Sequence, residues 1–405
     1  MSPLPAIDST LIDHMHQLYR ELHAAPELSM QEHATAERLE GILDELDIEH
    51  FRSGGTGVVG ILRNGEGPVI GFRADTDGLP IAEDTGVEYA STARGTLEDG
   101  TEVPVMHGCG HDTHIATAVT AVRVLAAQRD AWSGTLVIIF QPGEETAAGA
   151  KAMVEDGLWD KAPRPEVMYG QHVMPGLAGT ITYSVGDAMS QADSWKVTLR
   201  GKGSHGSQPQ DSIDPIVLGA HIITRLQGVV SREVDPRASA VVTVGTFHAG
   251  LKENIIPATA EFSLNVRTLD PEVRDTVLGA IRRIIVGEAA VSGAPEPIIE
   301  EISAFPRNYN DPEETEQVMA ALRSELGEDA VTEVAPLMGS EDFGALAQAI
   351  EVPSVFWMFG GHSQDTLNAP DVPVNHSPFF APEIEPTLTT GTRAALAAIL
   401  SKLGK

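Results

Sequence analysis

Along the first half of the chain the spacing of hydrophobic positions changes repeatedly, and each change predicts an element. From Ile7 to His23 the apolar residues Leu11, Met15, Leu18 and Leu22 recur at helical spacing, and Pro26 follows where the helix should stop. A second helix is expected from about Gln31 to Leu46. Gly57–Leu62 and Val69–Ala74 read as strands, the second a short apolar run (VIGFRA) that breaks off at Asp75-Thr-Asp-Gly-Leu-Pro80. A long loop, about Glu83 to Val105, precedes a helix from Ile115 to Gln128. Thr135–Phe140 is wholly apolar, as a buried parallel strand is, and ends in Gln141-Pro-Gly-Glu-Glu145. A helix at 147–156, a strand at 166–171 that delivers His172 and a strand near Gly179–Ser184 follow. Strand–helix–strand alternation predicts an α/β fold, a mostly parallel sheet flanked by helices.

Near Gly186 the pattern shifts to alternation. Ser194–Arg200, Val241–Phe247 and Ala260–Arg267 alternate apolar with polar positions, as half-exposed strands do, and Pro297–Ile302 reads as a fourth strand. Helices over Pro215–Val230 and Pro271–Ala289 complete the order βαββαβ, the ferredoxin-like split unit. We therefore expect three segments: residues 1–186, an inserted α+β domain at 187–304, and a return to the first domain at 305–405. The last segment should carry helices at about 312–326, 341–349 and 384–403, a strand at Val352–Phe359, and His376 in a loop. There is no internal repeat and no low-complexity segment.

Composition narrows the function classes. A chain of 405 residues exceeds one ordinary core, and 42% hydrophobic with 21% charged residues is a globular composition. The formal net charge of −31 makes nucleic acid and anionic membrane surfaces poor partners. No apolar run is long enough to span a bilayer, and the first residues lack the basic and apolar regions of a secretory signal. The single cysteine excludes an intrachain disulfide and fits a reducing, cytoplasmic compartment.

That cysteine lies in Met106-His-Gly-Cys-Gly-His-Asp-Thr-His114. Cys109 and His111, flanked by glycines, can aim at one point, as the floor of a metal site requires; alone, the stretch fits a buried core cysteine about as well. Asp75, Cys109, His111, Glu144, Glu145, His172 and His376 all fall at or beside predicted strand ends, and one edge of a parallel sheet gathers such ends in space. A His/Cys/carboxylate set has the donor types for divalent transition metals, and this one is large enough for two ions. If Glu145 binds metal, Glu144 beside it can serve as general base and then acid; two acidic residues at a helix N-terminus are the plainer alternative. In the insert, His205 stands in the glycine-rich loop Gly201-Lys-Gly-Ser-His205-Gly-Ser, which lacks the ending of a phosphate loop. Asn254 and Arg267 are further polar candidates, Arg267 being suited to a carboxylate.

Taken together, HxxPELSxQE at 23–32, FRADTDGLPI at 72–81, MHGCGHDTH at 106–114, FQPGEE at 140–145, QHVMPGLAGT at 171–180, GKGSHGSQP at 201–209, NIIP at 254–257, NVRT at 265–268, GSEDF at 339–343 and NHSPFF at 375–380 resemble the M20 family of metal-dependent peptidases and amidohydrolases. The similarity spans nearly the whole chain and is strongest to the branch of hippurate hydrolases, indole-acetyl-amino-acid hydrolases and N-acyl-amino-acid amidohydrolases. It implies a zinc-peptidase-like catalytic domain with an inserted domain acting as lid and dimerisation surface, hence a homodimer or higher homo-oligomer. It implies two divalent ions per subunit, manganese or zinc with cobalt or nickel as substitutes, held by Cys109, His111, Glu145, His172 and His376. Glu144 would be the general acid/base and His205 the oxyanion stabiliser, in its own or a partner's site. Asn254 and Arg267 would bind the substrate carboxylate. Where other branches carry His-x-Asp, this sequence has Arg73-Ala-Asp75, so Arg73 cannot ligate and Asp75 is expected to support the ligands rather than join them. Gln210 follows Pro209 where the family commonly has His. The implied reaction is hydrolysis of a small N-acyl amino acid. A dipeptidase or carboxypeptidase, and a non-catalytic acyl-amino-acid-binding protein, are the alternatives.

Overall fold

A computed structural model describes residues 4–405. The chain divides into two compact units: Met1–Ala188 with Asn308–Pro336 and Asp342–Lys405, and Met189–Arg307 with Leu337–Glu341. The short piece Leu337–Glu341 thus returns to the second unit, a detail absent from the sequence reading.

The first unit is built on an eight-stranded sheet in the order Glu49–Ser53, Gly57–Asn64, Gly134–Gln141, Val69–Asp75, Val167–Leu177, Ser354–His362, Ile181–Tyr183, Val331–Glu333. The four strands Gly134–Gln141, Val69–Asp75, Val167–Leu177 and Ser354–His362 are mutually parallel, and the antiparallel pairings flank them. Every residue of Gly134–Gln141 is buried, which explains the unbroken apolar run Leu136–Phe140 within it. Helices Ser9–His23, His33–Glu45, His111–Ala127, Pro312–Leu326 and Thr387–Leu403 supply apolar faces to the same core as the sheet. Burying each large side chain there, such as Phe72, Phe140 or Ile138, is worth up to about 2–3 kcal/mol.

Parallel register brings the chemistry to one edge. Asp75 pairs with Gln141, the residue before Pro-Gly-Glu144-Glu145, and His172 lies in the next strand over from Val69–Asp75. The helix His111–Ala127 starts four residues earlier than its hydrophobic period suggests, because its first turn is made of buried polar residues. Gly110 before it has φ 80°, and a Cβ there would lie 2.4 Å from Val173 Cγ1, so glycine is required on two counts. The expected long loop contains a small hairpin, Arg94–Thr96 with Glu102–Pro104. The helix expected at 341–349 is shorter, Gly344–Gln348, since Asp342 turns inward to bond Arg73, Gln141 and the Ala150 amide.

The second unit has a four-stranded antiparallel sheet in the order Ala240–Ala249, Thr259–Thr268, Gln191–Arg200, Ile298–Phe305, with helices Pro215–Arg232 and Pro271–Val291 sharing its core. Numbered along the chain this is 2-3-1-4, the split βαβ arrangement. Both helices open on Asp-Pro: Asp214 and Asp270 each accept two backbone N–H groups, while the proline occupies a position that needs no donor. Among the described residues no helix is long and apolar enough to cross a membrane.

Candidate metal centre

Three ligand-type groups meet at the edge of the first unit's sheet. Cys109, His111 and Glu145 place Sγ, an imidazole nitrogen and a carboxylate oxygen within 4.8 Å of one another. Cys109 Sγ lies 3.4 Å from His172 Nε2. His376 Nε2 lies 3.3 Å from Glu145 Oε2. All five residues expected as ligands therefore converge.

The bonds behind them decide which atoms face inward. His111 Nδ1 donates to Asp77 O at 2.9 Å, and His172 Nδ1 donates to Val173 O at 2.7 Å. Each ring is thereby fixed with Nε2 toward the cluster, as ligating imidazoles are. His111 Nε2 and Glu145 Oε1 are buried, have no hydrogen-bond partner and stand 4.0 Å apart. Orphaned polar atoms converging in this way, beside a buried thiol, are the signature of a place for a cation. The donor set fits divalent transition metals.

His114 belongs to the same cluster by distance but not by chemistry. Its Nδ1 bonds Asp75 and its Nε2 accepts the Val173 N–H at 2.8 Å, so neither nitrogen is open. Asp75 is fully buried, 3.5 Å from His111 Nε2, and accepts from Arg73 at 2.7 Å. Burial would raise its pKa, but Arg73 and then His111 and His114 hold it well below the usual range.

The pocket is acidic. Burial, then the carboxylates of Glu145 and Glu144, push the Cys109 thiol far up. Burial would lower His111, yet Asp75 and Asp77 carry it to about 10. Carboxylates packed beside a buried thiol and imidazole make the site favourable to a positive charge.

Local backbone explains the aim of each group. Glu144 and Glu145 open a short 3-10 turn, Glu144–Thr146, after Gly143 at φ 56°; a Cβ on Gly143 would meet Met30 Sδ at 2.5 Å. Glu144 is buried on this turn. His376 takes φ 67°, unusual for a non-glycine, and its N–H bonds Gly108 O at 2.8 Å. Asn375 beside it donates to Cys109 O and Val173 O at 3.3 and 3.2 Å. The His376 loop is thus stapled to the Cys109 loop.

His205, Asn254 and Arg267 belong to the second unit. Ser204–His205 pairs with Ile255–Ile256, and Gly206 N donates to Asn254 O at 2.8 Å, so His205 and Asn254 are neighbours. His205 is exposed and its Nδ1 accepts from Ser207 N and Oγ at 3.1 and 2.7 Å, leaving Nε2 outward. Arg267 donates to Asn265 Oδ1, Met338 O and Ser340 Oγ at 3.0, 2.7 and 3.3 Å. Sequence reasoning passed over Asp77 and His114. The Asp-Thr-Asp doublet and the third histidine of the Cys109 stretch were the available signals.

Residues 71–401 match the sequence pattern of peptidase family M20/M25/M40. The chain belongs to this family. As a member of M20 it is a metal-dependent hydrolase of amide bonds. It is 34% identical over 358 residues to thermostable carboxypeptidase 2 of Saccharolobus solfataricus, with 87% of each chain covered. It is 37% identical over 332 residues to hippurate hydrolase of Campylobacter jejuni, covering 81% of this chain and 83% of the other. Among solved structures, the Bacillus subtilis YXEP protein, a dinuclear metal-binding peptidase of M20, aligns with a TM-score of 0.75 at 30% identity, over 97% of this chain and 99% of the other.

Proposed function

We propose that this M20 enzyme hydrolyses the amide of N-acyl amino acids, giving a carboxylate and a free amino acid. The observation that carries the reading is the convergence of Cys109, His111, Glu145, His172 and His376, with Glu144 buried next to Glu145 on the same turn. We assign those five as the residues that would hold two divalent ions, manganese or zinc. Bound there, the ions would supply Lewis acidity toward the amide carbonyl and a water acidic enough to deprotonate near neutrality.

The chain's own groups do the rest. The Glu144 carboxylate takes the proton of the attacking water as its oxygen bonds the carbonyl carbon. Glu144 then returns that proton to the nitrogen as the C–N bond breaks. Asp75 and Asp77 hold His111 in place. From the second unit we assign His205 Nε2 to the oxyanion, and Asn254 and Arg267 to the substrate carboxylate, on their chemistry within that unit. We place homo-oligomerisation on the same unit.

Substrate class rests on relatives named for hippurate, N-acetylcysteine and N-acetyldiaminopimelate. A second reading, carboxypeptidase action, is favoured by the two thermostable carboxypeptidases among the relatives. The test is to purify the protein without chelator, quantify bound metals, and assay N-acyl amino acids, dipeptides and N-blocked peptides side by side. About two equivalents of metal, with N-acyl amino acids turned over at the highest kcat/KM and chelator abolishing it, is the expected result. Higher kcat/KM on peptides would transfer the assignment to the second reading.

A further inference from the structure

The motif at 23–32 supplies no ligand and no acid or base, yet its side chains reach the catalytic turn. Glu27 O accepts the Gly78 N–H at 2.7 Å, which seats the segment against the Asp75–Gly78 turn. Ser29 Oγ donates to Asp77 Oδ2 at 2.6 Å, and the same oxygen accepts the Glu145 N–H at 3.1 Å. Glu32 is fully buried; its Oε1 accepts the N–H groups of Met30 at 2.8 Å and Gly143 at 2.9 Å, and its Oε2 accepts the Thr56 hydroxyl. The two backbone N–H groups that flank Glu144 along the chain, those of Gly143 and Glu145, are therefore each donated to a buried carboxylate. One carboxylate belongs to this segment and the other is gripped by it.

We propose that Glu32 and Ser29 are positioning residues of the acid–base turn, fixing the Pro142–Gly143 and Glu144–Glu145 peptides so that the Glu144 carboxylate is aimed without either residue touching substrate. The inference rests on the assignment of Glu144 as general acid/base. Its physical basis is that a buried N–H left without an acceptor is costly, and that a turn with glycine at φ 56° is held in place by its partners rather than by its own preference. Displacing a catalytic group by about 1 Å can cost on the order of 100-fold in rate.

Glu32→Ala, Glu32→Gln and Ser29→Ala decide it, each read by kcat, KM, metal content and amide hydrogen exchange over residues 142–148 of the metal-loaded enzyme. Glu32→Ala should lower kcat roughly 10- to 100-fold, with KM within about threefold and metal content unchanged. Its Gly143 and Glu145 amides should exchange faster. Glu32→Gln keeps an acceptor for Gly143 N and should restore both kcat and protection. If Glu32→Ala does not fold, Ser29→Ala carries the test: it should deprotect the Glu145 amide and lower kcat roughly 3- to 10-fold. Wild-type kcat and wild-type exchange in these variants overturn the proposal. So does equal impairment of Glu32→Ala and Glu32→Gln, which would make the charge, not the acceptor, the cause. Should the wild-type enzyme bind metal but cleave no N-acyl amino acid, the substrate reading fails, while the exchange comparison still decides whether this segment holds the turn.

Discussion

Two histidines mark the contrast between the regions that carry candidate chemistry. His111, in the first unit, is fully buried, with Nδ1 fixed by a backbone carbonyl and two aspartates around it. His205, in the second, is exposed and held by Ser207 of its own turn. The same side chain is thus over-determined in one place and lightly tethered in the other. Ligands must meet an ion to within a fraction of an ångström, and only a buried web of bonds gives that precision. Groups that greet a substrate need to adapt, and bonds to a single neighbouring residue leave them able to.

The contrast breaks most sharply at Glu144. Glu144→Gln should lower kcat by about 10³-fold with metal content unchanged, measured by steady-state kinetics and metal analysis on one sample. Near-normal turnover would remove Glu144 from the mechanism and leave the buried web without a catalytic purpose. Cys109→Ala attacks the web itself. Since even supporting partners of ligands cost about 10- to 100-fold in affinity, loss of this sulfur should weaken metal binding by at least about 100-fold, and titration calorimetry would show it. Arg267→Ala probes the other side: KM for N-acyl amino acids should rise roughly 10-fold, with kcat and bound metal nearly unchanged. Arg267→Lys should rescue little, because an ammonium cannot reproduce the planar fork.

The smallest effect concerns stability and pH. Burial, followed by the nearby Asp77 charge, lifts Glu32 from 4.5 to about 7 despite its hydrogen bonds. A carboxyl raised on folding contributes fully below its unfolded value near 4.5, and that contribution is lost as pH rises through about 7. Metal-free wild type should therefore lose stability between those values, by roughly 3 kcal/mol at most. Glu32→Gln cannot ionise, so its melting temperature should overtake that of wild type as pH rises toward 8. Parallel melting curves across the range would show that Glu32 is not charged at a cost.

Much of this was readable before any coordinates. The wholly apolar run 135–140 and the shift from unbroken to alternating strands near Gly186 foretold a parallel core and an antiparallel insert. The helices expected to begin at Pro215, at Pro271 and near residue 312 do begin there, because capping by the preceding Asp and the fixed φ of proline are local properties. Long-range bonds left no such trace. Nothing around His114 says that the Val173 N–H will take its free nitrogen, and nothing around Asp342 says that it will abandon a helix for Arg73. The roles of Ser29 and Glu32 were likewise hidden, since their partners lie 48 and 111 residues away.

His376 differs from the other proposed ligands in one respect that bears on lifetime. Its side chain is 54% exposed, whereas Cys109, His111 and His172 are buried. Solvent can compete for this imidazole and for none of those three. Two ions held in such a pocket would not be equivalent kinetically: the one leaning on His376 would trade with the medium quickly, and its companion would follow only after the first had gone. Washout during dialysis against a weak chelator would then be biphasic. The enzyme's effective metal in a mixed environment would be set by whichever ion most often wins the outer seat.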